Sequence, residues 1–175
     1  MAAHIAIVTG DEGWQRAAPL LASAWRPEIV VTLPWRNVVW ARADRRVLVF
    51  NDTGEVICHV GLYARDALLD GCAVRIGGVG GVVTVDGYRR RGVAGRAVQV
   101  AMREIQEAYQ AELGLLFCES RYAPLYERLG WRRFGGEVFI MQPGGRACFD
   151  VIDAYVLDLT RAPRAGVLDL CGLPW

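Results

Sequence analysis

The run Tyr88-Arg89-Arg90-Arg91-Gly92-Val93-Ala94-Gly95 stands directly after the apolar stretch Val79–Val85 and directly before a helical pattern. A strand that ends in a Gly-containing turn and opens a helix leaves several backbone N–H groups without partners. They point one way, at the positive end of the helix dipole. Gly92, Ala94 and Gly95 keep the side chains small enough for a phosphate to approach the backbone, and Arg89, Arg90 and Arg91 add charge that does not titrate near neutral pH. Arginines are disfavoured at the positive end of a helix, so three of them there call for an anion, and a pyrophosphate suits the turn. The run has neither the Gly-Lys-Ser/Thr ending of a P-loop nor a Gly-x-Gly-x-x-Gly opening, which sets aside nucleotide hydrolysis and dinucleotide binding.

The chain of 175 residues suits one domain, residues 1–175, with a sizeable core; 53% of its residues are hydrophobic and 22% charged, against extended disorder. The net charge is +1 and the basic residues are scattered rather than striped, so neither nucleic acid nor a membrane is an expected partner. Small-molecule chemistry is expected instead. The start, Met-Ala-Ala-His-Ile, lacks a basic segment followed by a signal-peptide core, and no apolar run reaches about 18 residues, from which a cytoplasmic location is expected. Cys58, Cys72, Cys118, Cys148 and Cys171 are widely spaced and odd in number, with only His4 and His59 beside them, so neither a metal site nor a disulfide framework is indicated. Of the five, Cys118 lies at the end of an expected strand in the functional half.

Periodicity predicts a strand over His4–Val8, a helix over Asp11–Trp25 and a shorter helix over Leu33–Ala43. Strands Arg46–Asn51, Val56–Leu69 and Cys72–Val85 follow, joined by tight turns at Asp52-Thr53-Gly54 and Asp70-Gly71. Gly77-Gly78 and Gly80-Gly81 interrupt the last of these and mark a bulge or a close approach. Beyond the arginine turn come a helix over Val93–Gln110, a buried strand over Leu115–Cys118, a short helix over Ala123–Leu129, and closing strands Trp131–Met141 and Ala154–Leu159, separated by the Pro143-Gly144-Gly145 region.

With Arg89, Gly92 and Ala94 at its defining positions, the turn resembles the Gln/Arg-x-x-Gly-x-Gly/Ala coenzyme A site of the GCN5-related N-acetyltransferase (GNAT) superfamily. The order of elements matches, and Leu125-Tyr126-Glu127-Arg128-Leu129-Gly130-Trp131 is similar to the superfamily's Leu-Tyr-x-x-x-Gly-Phe/Trp signature. The resemblance implies an α+β fold, an α/β/α sandwich around a mixed, mostly antiparallel sheet, with a β-bulge on the fourth strand and splayed fourth and fifth strands. It implies acetyl-CoA as cofactor, with Val82, Val83 and Thr84 binding the pantetheine arm as if it were another strand and Arg89–Gly95 binding the pyrophosphate. Val83 N–H is the expected donor to the thioester oxygen and Tyr126 the expected acid that protonates the departing thiolate.

Within the superfamily, the chain resembles aminoglycoside 2′-N-acetyltransferases, in which a strand-four carboxylate acts as base and acidic groups grip a polycationic sugar. Gly80 stands at the position matching that carboxylate, and Phe117 at the position matching a substrate-binding serine. Glu119 is therefore the first candidate for the base, ahead of His59 and Asp86. Glu28, Trp35, Asp150 and Trp175, the last bringing a terminal carboxylate, are the expected acceptor-binding residues, with Trp25, Trp40 and Asp153 as further candidates. The expected activity is transfer of acetyl to the amine of a small molecule or amino sugar. Transfer of a longer acyl chain through a channel widened at Gly80, and a CoA-binding module without catalysis, are the alternatives. Apolar residues on the closing strands would suit a homodimer.

Overall fold

The computed structural model describes residues 4–175, which form ten strands and four α-helices. In chain order these are β1 (His4–Thr9), α1 (Gly10–Ala24), α2 (Pro27–Val30), β2 (Arg45–Phe50), β3 (Val56–Leu69), β4 (Cys72–Thr84), α3 (Val93–Glu107), β5 (Leu113–Cys118), α4 (Ala123–Glu127), β6 (Arg132–Arg133), β7 (Glu137–Gln142), β8 (Gly145–Cys148), β9 (Asp153–Asp158) and β10 (Val167–Asp169). All ten strands belong to one sheet whose main path runs β6-β9-β5-β4-β3-β10-β7-β8. Long β3 serves two neighbours along one edge: β2 pairs with its first half and β10 with its end, while β1 extends the sheet beyond β2. Among the described residues, only β4–β5 and β7–β10 are parallel. This is the mixed, mostly antiparallel α+β architecture that the sequence resemblance implies.

Side-chain alternation along β2 explains why helices cover both faces. Val47 and Val49 pack with Ala97, Val98, Ala101 and Ile105 of α3, whereas Leu48 and Phe50 pack with Ala17, Leu20 and Leu21 of α1. Both hairpin turns occur, with Asp70 and Gly71 at φ 51° and 79° as a two-residue type I′ turn requires.

Three expectations for local structure fail. Leu33–Ala43 is not a helix; the short α2 precedes it. The segment instead bonds outward: Val39 exchanges hydrogen bonds with the Gln142 side-chain amide (2.8 and 3.0 Å), and Ala41 N–H donates to Pro174 O at 2.7 Å. The expected strand Trp131–Met141 is two strands, broken where Gly135 N–H turns to Arg164 O (3.1 Å) and Gly136 lies against the Gly166 backbone, too close for any side chain. Pro143-Gly144-Gly145 then closes a β7–β8 hairpin rather than linking to β9. The short β8 and β10 carry too little periodic pattern to be read from sequence.

Candidate active site

Parallel pairing of β4 with β5 stops at Val79–Leu116, leaving Gly80–Thr84 unpaired on that side. The β3–β4 register shifts at the same place: His59 opposes Val83 and Gly61 opposes Gly80, so Gly81 and Val82 face one residue, Val60. This is a β-bulge, and Gly81 sits in it at φ +57°. The strands therefore diverge at the bulge, and a cavity of about 1150 Å³ occupies the opening. Val82, Val83 and Thr84 line it together with Tyr126.

Backbone phase corrects one expectation. Val85 N–H donates to Ile57 O at 3.0 Å, and Val83, two residues earlier in the same strand, is paired with His59. Strand alternation thus aims the Val83 amide at β3, and the amides facing the opening are those of Val82 and Thr84.

The arginine turn follows as a 3₁₀ turn, Asp86–Tyr88, and then two left-handed residues, Arg90 (φ 60°) and Gly92 (φ 75°), before α3. Left-handed backbone at the non-glycine Arg90 costs roughly 1–2 kcal/mol, a strain of the kind found at ligand clamps. A side chain on Gly92 would meet open space, so its φ is what selects glycine. The three arginines divide. Arg89 braces the turn from within, through Nε to Thr84 O (3.0 Å) and an ion pair with Asp86 (2.9 Å). Arg89 and Arg90 both line the cavity, with Gly92, Val93, Ala94 and Gly95. Arg91 lies outside it, over the Tyr88 ring at 5.8 Å.

Tyr126, on α4, is 6% exposed, and burial raises its phenol well above the ordinary value. Cys118, at the end of β5, has its thiol pushed up to about 12 by burial and by nearby Asp153, Glu127 and Glu119. It stays protonated at neutral pH. Glu119 also lines the cavity, ion-paired with Arg121 at 3.0 Å.

The opposite face of the sheet, the one α1 partly covers, forms the second half of the cavity. Trp175 lies flat there on glycines: a side chain at Gly78 would collide with its indole, and one at Gly80 would sit 3.1 Å from its main-chain carbon. Its ring stacks on Tyr63 at 5.3 Å and donates Nε1–H to Leu115 O at 3.3 Å. Trp25, Trp35, Trp40 and Phe117 line the cavity around it. At the floor, His59 is 2% exposed with both ring nitrogens engaged. Arg46 can only donate, so Nη1 gives a hydrogen bond to His59 Nε2 (2.8 Å), and His59 Nδ1–H in turn donates to Gly81 O (2.7 Å). Burial, with Arg46 beside it, takes the imidazole down to about 4, so the ring is neutral and has no free lone pair to act as base.

Of the remaining expected residues, Trp35 and Trp175 reach the cavity. Glu28 is exposed and paired with Arg26 (3.4 Å), Asp153 is paired with Arg133, and Asp86 is held by Arg89; these three and Asp150 are not among the lining residues. Arg46 and Tyr63 were missed. The signal for Arg46 was its phase: it alternates with Leu48 and Phe50, so it belongs to the face that α1 covers.

A sequence profile of the Acetyltransferase (GNAT) domain family matches residues 7–134. The chain belongs to the GNAT acetyltransferase family. Its fold recurs in a GNAT family N-acetyltransferase (YhbS) from Escherichia coli in complex with CoA, at 16% identity and TM-score 0.62, over 97% of this chain and 89% of that one. A GNAT family acetyltransferase from Brucella melitensis in complex with acetyl-CoA aligns at 16% identity and TM-score 0.58, over 94% of both chains. A GCN5-related N-acetyltransferase from Kribbella flavida aligns at 17% identity and TM-score 0.57 over 78% of this chain; the chain spans about a third (34%) of that longer protein. As a GNAT protein the chain is an acyltransferase. The diverging β4 and β5, the bulge at Gly81 and the left-handed entry to α3 form one continuous concave surface, which suits an extended pantetheine ending in a pyrophosphate.

Proposed function

We propose that this GNAT protein transfers acetyl from acetyl-CoA directly to the amine of a small molecule. The observation that carries the reading is the joining of two features in one cavity: the unpaired edge of β4 at the Gly81 bulge and, one turn later, the open left-handed entry to α3. Acetyl-CoA, when bound, supplies an activated thioester whose carbonyl gains negative charge as an amine attacks. In this reading the Val82 amide donates to that oxygen and the Thr84 amide holds the arm along the strand. Arg90 and the first amides of α3 neutralise the phosphates, while Arg89 keeps the turn in shape. Tyr126, protonated at neutral pH, gives its proton to the leaving sulfur. Glu119 is the lining carboxylate at the end of β5 and takes the proton from the amine, directly or through water. Cys118, a neutral thiol, takes no part in transfer.

The longer-acyl alternative loses its support, because the space that Gly80 would open is filled by Trp175. Amino sugars remain one acceptor class. The aminoglycoside variant is weakened, since Glu28, Asp150 and Asp153 lie outside the cavity.

The test is calorimetric titration with acetyl-CoA for wild type and Gly92→Asp. Wild type binds in the micromolar range, and the variant binds about a hundredfold more weakly, because a carboxylate opposes the phosphates and strains a left-handed position. Equal affinity in the two proteins, or no binding by wild type, would overturn the reading.

A further inference from the structure

Arg46 is the most unusual charge in the molecule. Its residue is 6% exposed, yet no carboxylate among the described residues lies within 4 Å of its guanidinium. Its bonds go to neutral acceptors, Nε–H to Gly10 O (3.2 Å) and Nη1–H to His59 Nε2 (2.8 Å), and its flat face lies 5.2 Å from the Trp14 ring. A guanidinium has five N–H hydrogens, so three remain without a protein partner. Burial takes part of the guanidinium out of water with no anion beside it, which disfavours the charge, while its free N–H groups open on the cavity. The arrangement makes physical sense if the missing anion arrives with a ligand.

Arg46 lines the cavity, and its position ties it to the reacting centre. It pairs across the sheet with Gly61, which pairs with Gly80, and the space over these two glycines is taken by the Tyr63 ring and Trp175, so both flank any path from Arg46 to the bulge. One imidazole ring, His59, spans from its guanidinium to Gly81 O. The other charged side chains on this half of the cavity are Asp11, in the first turn of α1, and Arg42, in the loop before β2. The walls of this half are aromatic: Trp25, Trp40, Tyr63, Phe117 and Trp175.

We propose that Arg46 is the anion-binding point of the acceptor pocket and that the acceptor is a carboxylate-bearing amine with an apolar or aromatic body, the chemistry of a large apolar amino acid. The proposal rests on the acetyl-transfer reading and names its substrate class. The spare N–H groups of Arg46 hold the carboxylate, the aromatic walls hold the body, and the amine projects toward the bulge. A fixed cation close to that amine also disfavours its ammonium form and so promotes the neutral nucleophile.

The test is a binding series on wild-type protein with CoA present, read by indole fluorescence, using 3-phenylpropanoate, its neutral amide 3-phenylpropanamide, and phenethylamine. The carboxylate is expected to bind about tenfold or more tighter than the amide, the worth of a charge-assisted hydrogen bond, and Arg46→Met is expected to erase that preference. In the transfer assay, kcat/KM for phenylalanine should exceed that for phenethylamine, and the ratio should fall towards one in the variant. Should Arg46→Met not fold, the wild-type series and Arg46→Lys, which keeps the charge and loses the planar fork, still decide. Equal binding of the three probes, or tightest binding of the amine, overturns the anion subsite even where acetyl-CoA binds. Absence of acetyl-CoA binding overturns the reading beneath it.

Discussion

The two halves of the cavity are built on different plans. The cofactor half is nearly continuous in sequence, Val82 to Gly95, and works through backbone shape: a bulge, an unpaired strand edge and two left-handed residues. The acceptor half is gathered from α1, the loop before β2, three strands and Trp175, and works through side chains buried against one another. A backbone-built half tolerates change at many side chains as long as a few φ values persist. A side-chain-built half does not, and its stability and its specificity reside in the same residues.

Trp175→Ala should break that comparison most deeply. The indole is 4% exposed, stacks on Tyr63 and covers Gly78 and Gly80, so truncation leaves a cavity over the glycine-rich stretch of β4. A loss of about 4 kcal/mol in unfolding free energy is expected from chemical denaturation. Acetyl-CoA affinity in the folded fraction should fall far less, since the unpaired edge of β4 proposed to hold the arm lies on the other side of the bulge. A proportionate loss of both would mean that the halves are not separable.

Tyr126→Phe sharpens the comparison from the cofactor half. The ring stays packed and only the proton donor is lost, so kcat should drop about a hundredfold while acetyl-CoA binding persists, measured by release of free CoA and by titration. An unchanged kcat would give the proton-donor role to another group or to water.

The difference in plan also explains what the sequence revealed. The turn at Arg89–Gly95, the glycine interruptions of β4 and the Tyr126 signature are local patterns with local physical reasons, and they led to the cofactor half and the fold. A run of three arginines cannot say which one faces inward, and Arg91 lies outside the cavity. Strand phase depends on the pairing around a bulge, and here it turns the Val83 amide toward β3. The acceptor half was largely illegible: Arg46 stood only as the first residue of an expected strand, His59 as a candidate base, and the acidic residues expected to grip a cation lie outside the cavity. Gly80 looked like a lost carboxylate, and only the structure places Trp175 over it.

The His59 link between Arg46 and the bulge gives a smaller, pH-dependent effect. Its folded value, about 4, lies below the ordinary 6.5, so the unfolded chain binds a proton first as the pH falls. Stability from this group is complete above about pH 7.5, declines through 6.5, and is about 2 kcal/mol lower by pH 5, levelling off below 4. Denaturation at pH 8 and pH 5 measures it, and His59→Gln should flatten the slope. A wild-type slope of the opposite sign would mean that the ring is charged in the fold and that Arg46 does not donate to it.

The smallest effect belongs to Cys118, and it separates direct transfer from a covalent route. The thiol lies at the mouth of the diverging strands, where a nucleophile would be well placed, but burial and the carboxylates of Asp153, Glu127 and Glu119 hold it in the protonated form. A neutral thiol attacks thioesters poorly, so no acetyl-enzyme should form: intact mass after mixing with acetyl-CoA should show no added acetyl group, and Cys118→Ala should keep kcat within about threefold. A stoichiometric acetyl adduct lost in Cys118→Ala would reverse the assignment. It would also change the meaning of the two halves, because the acceptor would then meet an acylated β5 rather than a cofactor held on β4, and the aromatic half would have to open toward Cys118 instead of the Gly81 bulge.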